Sequence, residues 1–136
     1  MSIAFVIVSH SAKLAEGVVE LAQQMAPDVE FRAAGGTDAG AIGTSFDLIL
    51  GAVEELTGAG HQVALLTDLG SADMTVEAVL EVVNGDVVHY CPGPLVEGAV
   101  SASVTAQVGG DLAAVAEAER SEERRVGKEC QSTCRS

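Results

Sequence analysis

The 136-residue chain predicts an α/β fold, an open and mostly parallel sheet of about four strands with helices on both faces. Apolar runs rich in β-branched residues alternate four times with longer segments of helical period. The first run, "IAFVIV" (3–8), has no polar residue to show to water, as a strand buried on both faces requires. Hydrophobic residues make up 48% of the chain but aromatics only 3%, so the core is built from Val, Leu, Ile and Ala.

The elements follow in order. After the first strand, "AKLAEGVVELAQQM" (12–25) places Leu14, Val18, Leu21 and Met25 on one helical stripe, and Pro27-Asp28 breaks the helix. "VEFRAA" (29–34) is the second strand, followed by the loop "GGTDAGAIG". Thr44-Ser45 is an N-cap pair for a second helix that runs to Leu56, where "TGAG" stops it. "QVALLTD" (62–68) is the third strand. The third helix starts after "LGSAD" and reaches about Val83, with Asn84-Gly85 as a turn signal. "DVVHYC" (86–91) is the fourth strand, and "PGPLVEGAVSASVTAQV" (92–108) a helix with proline in its opening turn. "GGDLAAVAEAE" adds a last short helix.

One domain over residues 1–119 accounts for this pattern. The last seventeen residues, "RSEERRVGKECQSTCRS", break from it in composition and carry no periodic apolar pattern, so 120–136 reads as a non-native or disordered tail. That tail holds five of the seven basic residues. The body keeps Lys13 and Arg32 against seventeen carboxylates, a net of −15. Such a surface argues against nucleic acid and anionic membranes as partners. It suits a basic protein partner or adaptation to a salty cytoplasm. No apolar stretch has the length of a membrane span and the start lacks the features of a signal peptide, so a cytoplasmic protein is expected. Cys91, Cys130 and Cys134 make no disulfide framework, and Cys91 reads as a small buried residue. The Cys130/Cys134 pair has no accompanying histidine, and no metal site is assigned.

In open parallel sheets the ligand sits beyond the carboxyl ends of the strands, at the switch point. His10 lies just past the first strand, the glycine-rich loop past the second, and Asp68-Leu69-Gly70-Ser71 past the third. Asp68 could hold His10 by its Nδ1–H and leave Nε2 as a nucleophile. Helix starts after Ser11, Thr44-Ser45 and Gly70-Ser71 would aim backbone N–H groups at an anion, and Gly35, Gly36 and Gly40 allow close approach. The set suits a phosphoryl group carried on histidine. Each residue also has an ordinary reading: His10 as a structural residue, Asp68, Ser71 and Thr44 as helix-start residues, Lys13 as a solvated lysine rather than a phosphate neutraliser. His61 and His89 read as non-catalytic. The loop "GGTDAGAIGTS" is no Walker A sequence and no dinucleotide fingerprint, and Ser9 and Ser11 stand in no nucleophile elbow.

The blocks "VIVSHSAKLAEGVVELAQQM", "AAGGTDAGAIGTSFDLILGAV" and "LTDLGSADMTVE" together resemble the phosphotransferase subunit of dihydroxyacetone kinase, whose domain is of the mannose-type enzyme IIA family. The resemblance runs over about residues 1–119. It implies that His10 is phosphorylated by the phosphocarrier HPr and passes the group to ADP held on the kinase's nucleotide-binding subunit. The ATP formed would phosphorylate dihydroxyacetone on a third subunit, with no other cofactor bound permanently. It also implies that Asp68 partners His10, that Ser11, Gly36, Thr37, Gly70 and Ser71 surround the phosphate, and that the protein is a homodimer. Some relatives carry HPr-like and enzyme I-like domains in the same chain. Here the donor is expected to be a separate HPr. The transporter relatives exchange a C-terminal strand between subunits, whereas residues 94–119 read as helices. The alternatives are an enzyme IIA domain of a mannose-type sugar transporter and a non-enzymatic regulatory binding module.

Adaptation to high salt has a direct test. A body of this charge that depends on screening loses its circular-dichroism signal on dialysis into low salt, and an unchanged spectrum rules that origin of the acidity out.

Overall fold

A strand with no polar face has to lie between two neighbours and two helix layers. β1 (Ile3–Ser9) does so, with all seven residues buried. The computed structural model describes residues 3–36, 44–68, 71–83, 88–91, 95–111 and 113–118, with the backbone alone at 71–73 and 91. In it β1 pairs in parallel with β2 (Glu30–Gly35) on one side and β3 (Gln62–Thr67) on the other. β3 in turn pairs in parallel with β4 (Val88–Cys91), giving the order β2-β1-β3-β4. This is the open parallel sheet that the alternating pattern predicts. The helices are α1 (Ala12–Met25), α2 (Phe46–Gly58), α3 (Ser71–Val82) and α4 (Leu95–Gln107), with a short α5 over 113–118. After residue 94 the chain forms α4 and α5, with a non-helical stretch at 108–111 between them, as the two expected helices require.

Strand alternation divides the core into two layers. Phe5, Ile7, Phe31 and Leu66 pack with Ala15, Val18 and Ala22 of α1 and Leu95, Ala99 and Ala102 of α4. Val6, Val8, Val63, Leu65 and Val88 pack with Ile49, Val53 and Leu56 of α2 and Val76 and Val79 of α3. Phe5 and Phe31, neighbours in register, stack with ring centroids 5.4 Å apart. α2 is capped by Ser45, whose side chain accepts from the Leu48 N–H, and it ends where Gly60 turns with φ +92°.

Of the apolar stripe expected on α1, only Val18 is buried. Leu14, Leu21 and Met25 are 41%, 45% and 52% exposed, and the buried residues are Ala15, Val18 and Ala22. The reason is close approach. A Cβ on Gly35 would lie 2.6 Å from the Ser11 carbonyl oxygen and 2.8 Å from both Ala15 Cβ and Ala12 Cα. A helix start seated that tightly on the end of β2 has room inward for alanine, not leucine, so the large side chains turn outward. α3 begins at Ser71 rather than after Asp73, since Ser, Ala and Asp are good first-turn residues. The sites 37–43, Asn84-Gly85 and the tail lie outside the described residues, as do the side chain of Cys91 and the proline turn before α4.

β1 hands the chain to β2 on one side, and β3 hands it to β4 on the other. The crevice between the carboxyl ends of β1 and β3 is therefore the switch point of the sheet. Among the described residues no helix is long and apolar enough to cross a membrane.

Gly35→Ala sets the new methyl against backbone, which cannot move aside cheaply. Urea unfolding is expected to show a loss of about 1–3 kcal/mol, and a wild-type midpoint would mean that α1 shifts freely over β2.

Candidate active site

The register of three strands decides which side chains meet. Ser9 pairs with Gly35 of β2, and Val8 pairs with Thr67 of β3, so Asp68 comes to lie beside Ser9. Alternation then gives Ser9 and Asp68 the face that Phe5, Ile7 and Leu66 share, the one covered by α1.

Asp68 accepts from three donors. The Ser9 hydroxyl donates to Oδ2 at 2.7 Å, and the His10 backbone N–H donates to the same oxygen at 3.1 Å. Oδ1 is left to the imidazole of His10, whose Nδ1 lies 3.1 Å away. An ionised carboxylate can only accept, so Nδ1 carries the proton and the lone pair of the neutral ring is on Nε2. Both groups are mostly enclosed, with side chains 18% (His10) and 11% (Asp68) exposed. Burial pushes the Asp68 carboxyl up. The hydrogen bonds from Ser9 and from the ring and backbone of His10, with the positive charge the ring carries when protonated, outweigh that effect and hold it below the usual value.

α1 starts immediately behind this pair. Ser11 caps it, its Oγ accepting from the Leu14 N–H at 3.3 Å, while its own N–H donates to Ser9 Oγ at 3.0 Å. The first turn of α1 contains no acidic residue and carries Lys13, whereas α2 has Asp47 in its first turn. The positive end of the α1 dipole next to His10 thus has no acidic side chain from its own first turn. Arg32, the other cation of the body, is held away from the strand ends by Glu55 (2.9 Å) and Glu30 (3.1 Å).

The residues expected around a phosphate are placed as follows. Ser11 stands at the site, with its N–H and Oγ lone pair used within the fold. The Gly36 N–H donates to the Ser9 carbonyl at 3.1 Å, and Gly36 has φ +73°, so this glycine closes the turn after β2. Ser71 is the first residue of α3; its side chain, Thr37 and Gly70 lie outside the described residues. Thr44 Oγ1 lies 2.9 Å from Thr75 Oγ1, joining the start of α2 to α3. His61 precedes β3 at the opposite edge of the sheet from His10, and His89 is exposed on β4. A cavity of about 210 Å³, lined by Ile3, Asp28, Val29 and Gln107 among others, also lies at that opposite edge. Among the described residues no group of three or more His, Cys, Asp or Glu gathers as metal ligands.

Ser9 is the residue that sequence reasoning missed. Its signal was present: it is the single polar residue of an otherwise apolar strand, next to the candidate histidine. Such a residue needs a buried partner.

The direction of the Asp68 shift sets a pH dependence. A carboxyl whose folded value lies below its unfolded one gives its full stabilisation above the unfolded value and loses it as pH falls through the folded value. Asp68→Asn is expected to cost about 1–3 kcal/mol at neutral pH, and the gap in melting temperature should begin to close below about pH 4 and go on narrowing as pH falls through the lowered folded value. A gap that persists unchanged at pH 3 would contradict the pairing.

Comparison with known proteins identifies the family. The EIIA-man family, described as the PTS system fructose IIA component, matches residues 4–116. A relative from Listeria innocua, named PEP-dependent dihydroxyacetone kinase 1, phosphoryl donor subunit DhaM, is 39% identical over 76% of this chain and 81% of its own. The PTS-dependent dihydroxyacetone kinase phosphotransferase subunit DhaM of Lactococcus lactis is 36% identical over 86% of this chain and 93% of its own. The phosphoryl donor subunit DhaM of Escherichia coli is 40% identical over 79% of this chain but only 24% of its own length. Among solved structures, a protein of unknown function superposes with a TM-score of 0.81 at 27% identity, covering 89% of this chain and 95% of the other. The chain belongs to the EIIA-man family, together with the DhaM subunits of dihydroxyacetone kinases.

Proposed function

We propose that this protein is the phosphocarrier subunit of a phosphoenolpyruvate-dependent dihydroxyacetone kinase, acting in the cytoplasm through a phosphohistidine at His10. The observation that carries the reading is the Asp68–His10 pair at the switch point, in a chain whose relatives are named phosphoryl donor subunits. Nδ1–H on Asp68 leaves the reactive lone pair on Nε2. The group arrives from a phosphohistidine of HPr: the bond from phosphorus to the donor nitrogen breaks as the bond to His10 Nε2 forms. The ring becomes positive as it does so, and the Asp68 carboxylate stabilises that charge. The unneutralised start of α1, with the Ser11 hydroxyl and Lys13, is suited to the equatorial oxygens. In the second half-reaction the Nε2–P bond breaks and the phosphoryl group passes to ADP on the nucleotide-binding kinase subunit, the dihydroxyacetone-binding subunit being the final acceptor's site. Transfer of this kind is chiefly positioning and electrostatics.

The acidic body suits a donor with basic surface around its histidine. A homodimer is part of the proposal, and the exposed Leu14, Leu21 and Met25 of α1 offer an uncharged stripe on which two strongly acidic copies could meet. The dihydroxyacetone kinase reading is preferred over a sugar-transporter IIA domain because the relatives with substantial identity carry the kinase name.

The test is incubation with enzyme I, HPr and labelled phosphoenolpyruvate. Wild type is expected to gain an acid-labile, alkali-stable label that His10→Ala lacks. Adding ADP and the two kinase subunits should discharge it and yield dihydroxyacetone phosphate. Label on His10→Ala would remove the histidine from the mechanism, and label that the kinase subunits never discharge would favour the transporter reading.

A further inference from the structure

The Asp68–His10 pair depends on a residue that does not touch the phosphoryl group. Ser9 is fully buried, and both functions of its hydroxyl are used. The oxygen accepts from the Ser11 N–H at 3.0 Å, and the proton goes to Asp68 Oδ2 at 2.7 Å. An amide of the helix start is thereby linked through one hydroxyl to the carboxylate. Chains of this kind polarise each member in the same sense.

The consequence is geometric. A carboxylate can rotate about its Cβ–Cγ bond and offer either oxygen. Here Oδ2 is held by two donors, Ser9 Oγ and the His10 N–H, and Oδ1 is the oxygen presented to the ring. Without the Ser9 hydroxyl, Oδ2 would keep a single 3.1 Å bond from a backbone N–H, and the carboxylate would be free to swing away from Nδ1. A neutral imidazole released from that acceptor reverts toward the Nε2–H tautomer, in which Nε2 has no lone pair to attack phosphorus.

We propose that Ser9 is a positioning residue for phosphoryl transfer: its hydroxyl locks the orientation of the Asp68 carboxylate, and through it holds His10 in the Nδ1–H tautomer. This rests on the reading of His10 as the phosphoryl acceptor. The position admits little else. Ser9 lies between Gly35 and Asp68 at the end of a strand with no exposed residue, so its hydroxyl has no water-facing alternative.

Two readouts test it, on the full chain. Nitrogen-15 NMR of His10 near pH 8 reports the tautomer directly, and labelled phosphoenolpyruvate with enzyme I and HPr gives the phosphorylation rate. Ser9→Ala should raise the Nε2–H population and slow phosphorylation roughly ten-fold or more, the scale of a lost hydrogen bond to a charged group. Ser9→Cys, which fills the same space but donates weakly, should resemble Ser9→Ala, and Ser9→Thr should restore both readouts. Wild-type ring signals and rate in Ser9→Ala and Ser9→Cys would overturn the proposal. So would a Ser9→Thr variant, folded by circular dichroism, that is as impaired as Ser9→Ala. Failure of the wild type itself to take label would instead refute the phosphocarrier reading, while the tautomer measurement would still decide whether Ser9 controls the ring.

Discussion

The Asp68 carboxylate ties the carboxyl ends of two central strands together. It leaves β3 and accepts from two consecutive residues at the end of β1, one through a side chain and the other through both backbone and ring. Burying a carboxylate is costly unless its oxygens are satisfied, and a hydrogen bond to a charged group returns about 1.5–3 kcal/mol. Three donors on one carboxylate therefore favour a single relative placement of β1 and β3 at the point where the sheet divides. The acid that orients the histidine also anchors the crevice in which the histidine sits.

The second constraint is space. Gly35 lets the start of α1 rest against β2, and Ala15 and Ala22 let the helix stay close along the sheet. This contact fixes where Ser11 stands and so where the helix dipole points. It also explains why α1, though amphipathic, shows leucine and methionine to the outside. In a body with seventeen carboxylates and two cations, Leu14, Leu21 and Met25 form an uncharged stretch of surface.

Charge is arranged with the same economy. Arg32 is held by Glu30 and Glu55, exposed pairs that contribute little to stability, and the pairing keeps this cation away from the strand ends. Next to His10 stands a helix start whose first turn has no acidic residue and includes Lys13. The start of α1 is thus a locally less negative place on a body whose overall field is negative.

The sequence by itself determined the layers and the sheet edge at which the candidate site lies. Apolar runs of strand length alternating with helical periods leave little choice but a parallel sheet, and "IAFVIV" had to be its buried centre. His10 and Asp68 were legible because both immediately follow such runs. Three things were decided only in three dimensions. The buried face of α1 depends on how near Gly35 lets it come, a distance that no periodicity contains. Gly36, grouped by sequence with the anion-binding glycines, spends its amide on the Ser9 carbonyl, since the turn after β2 must be closed. The role of Ser9 requires the register that sets β1 beside β3, because pairing partners 59 residues apart cannot be read from a chain whose strands could align in several ways. Local pattern specifies which elements form and in what order. The contact between elements specifies which of two neighbouring polar groups a carboxylate will hold.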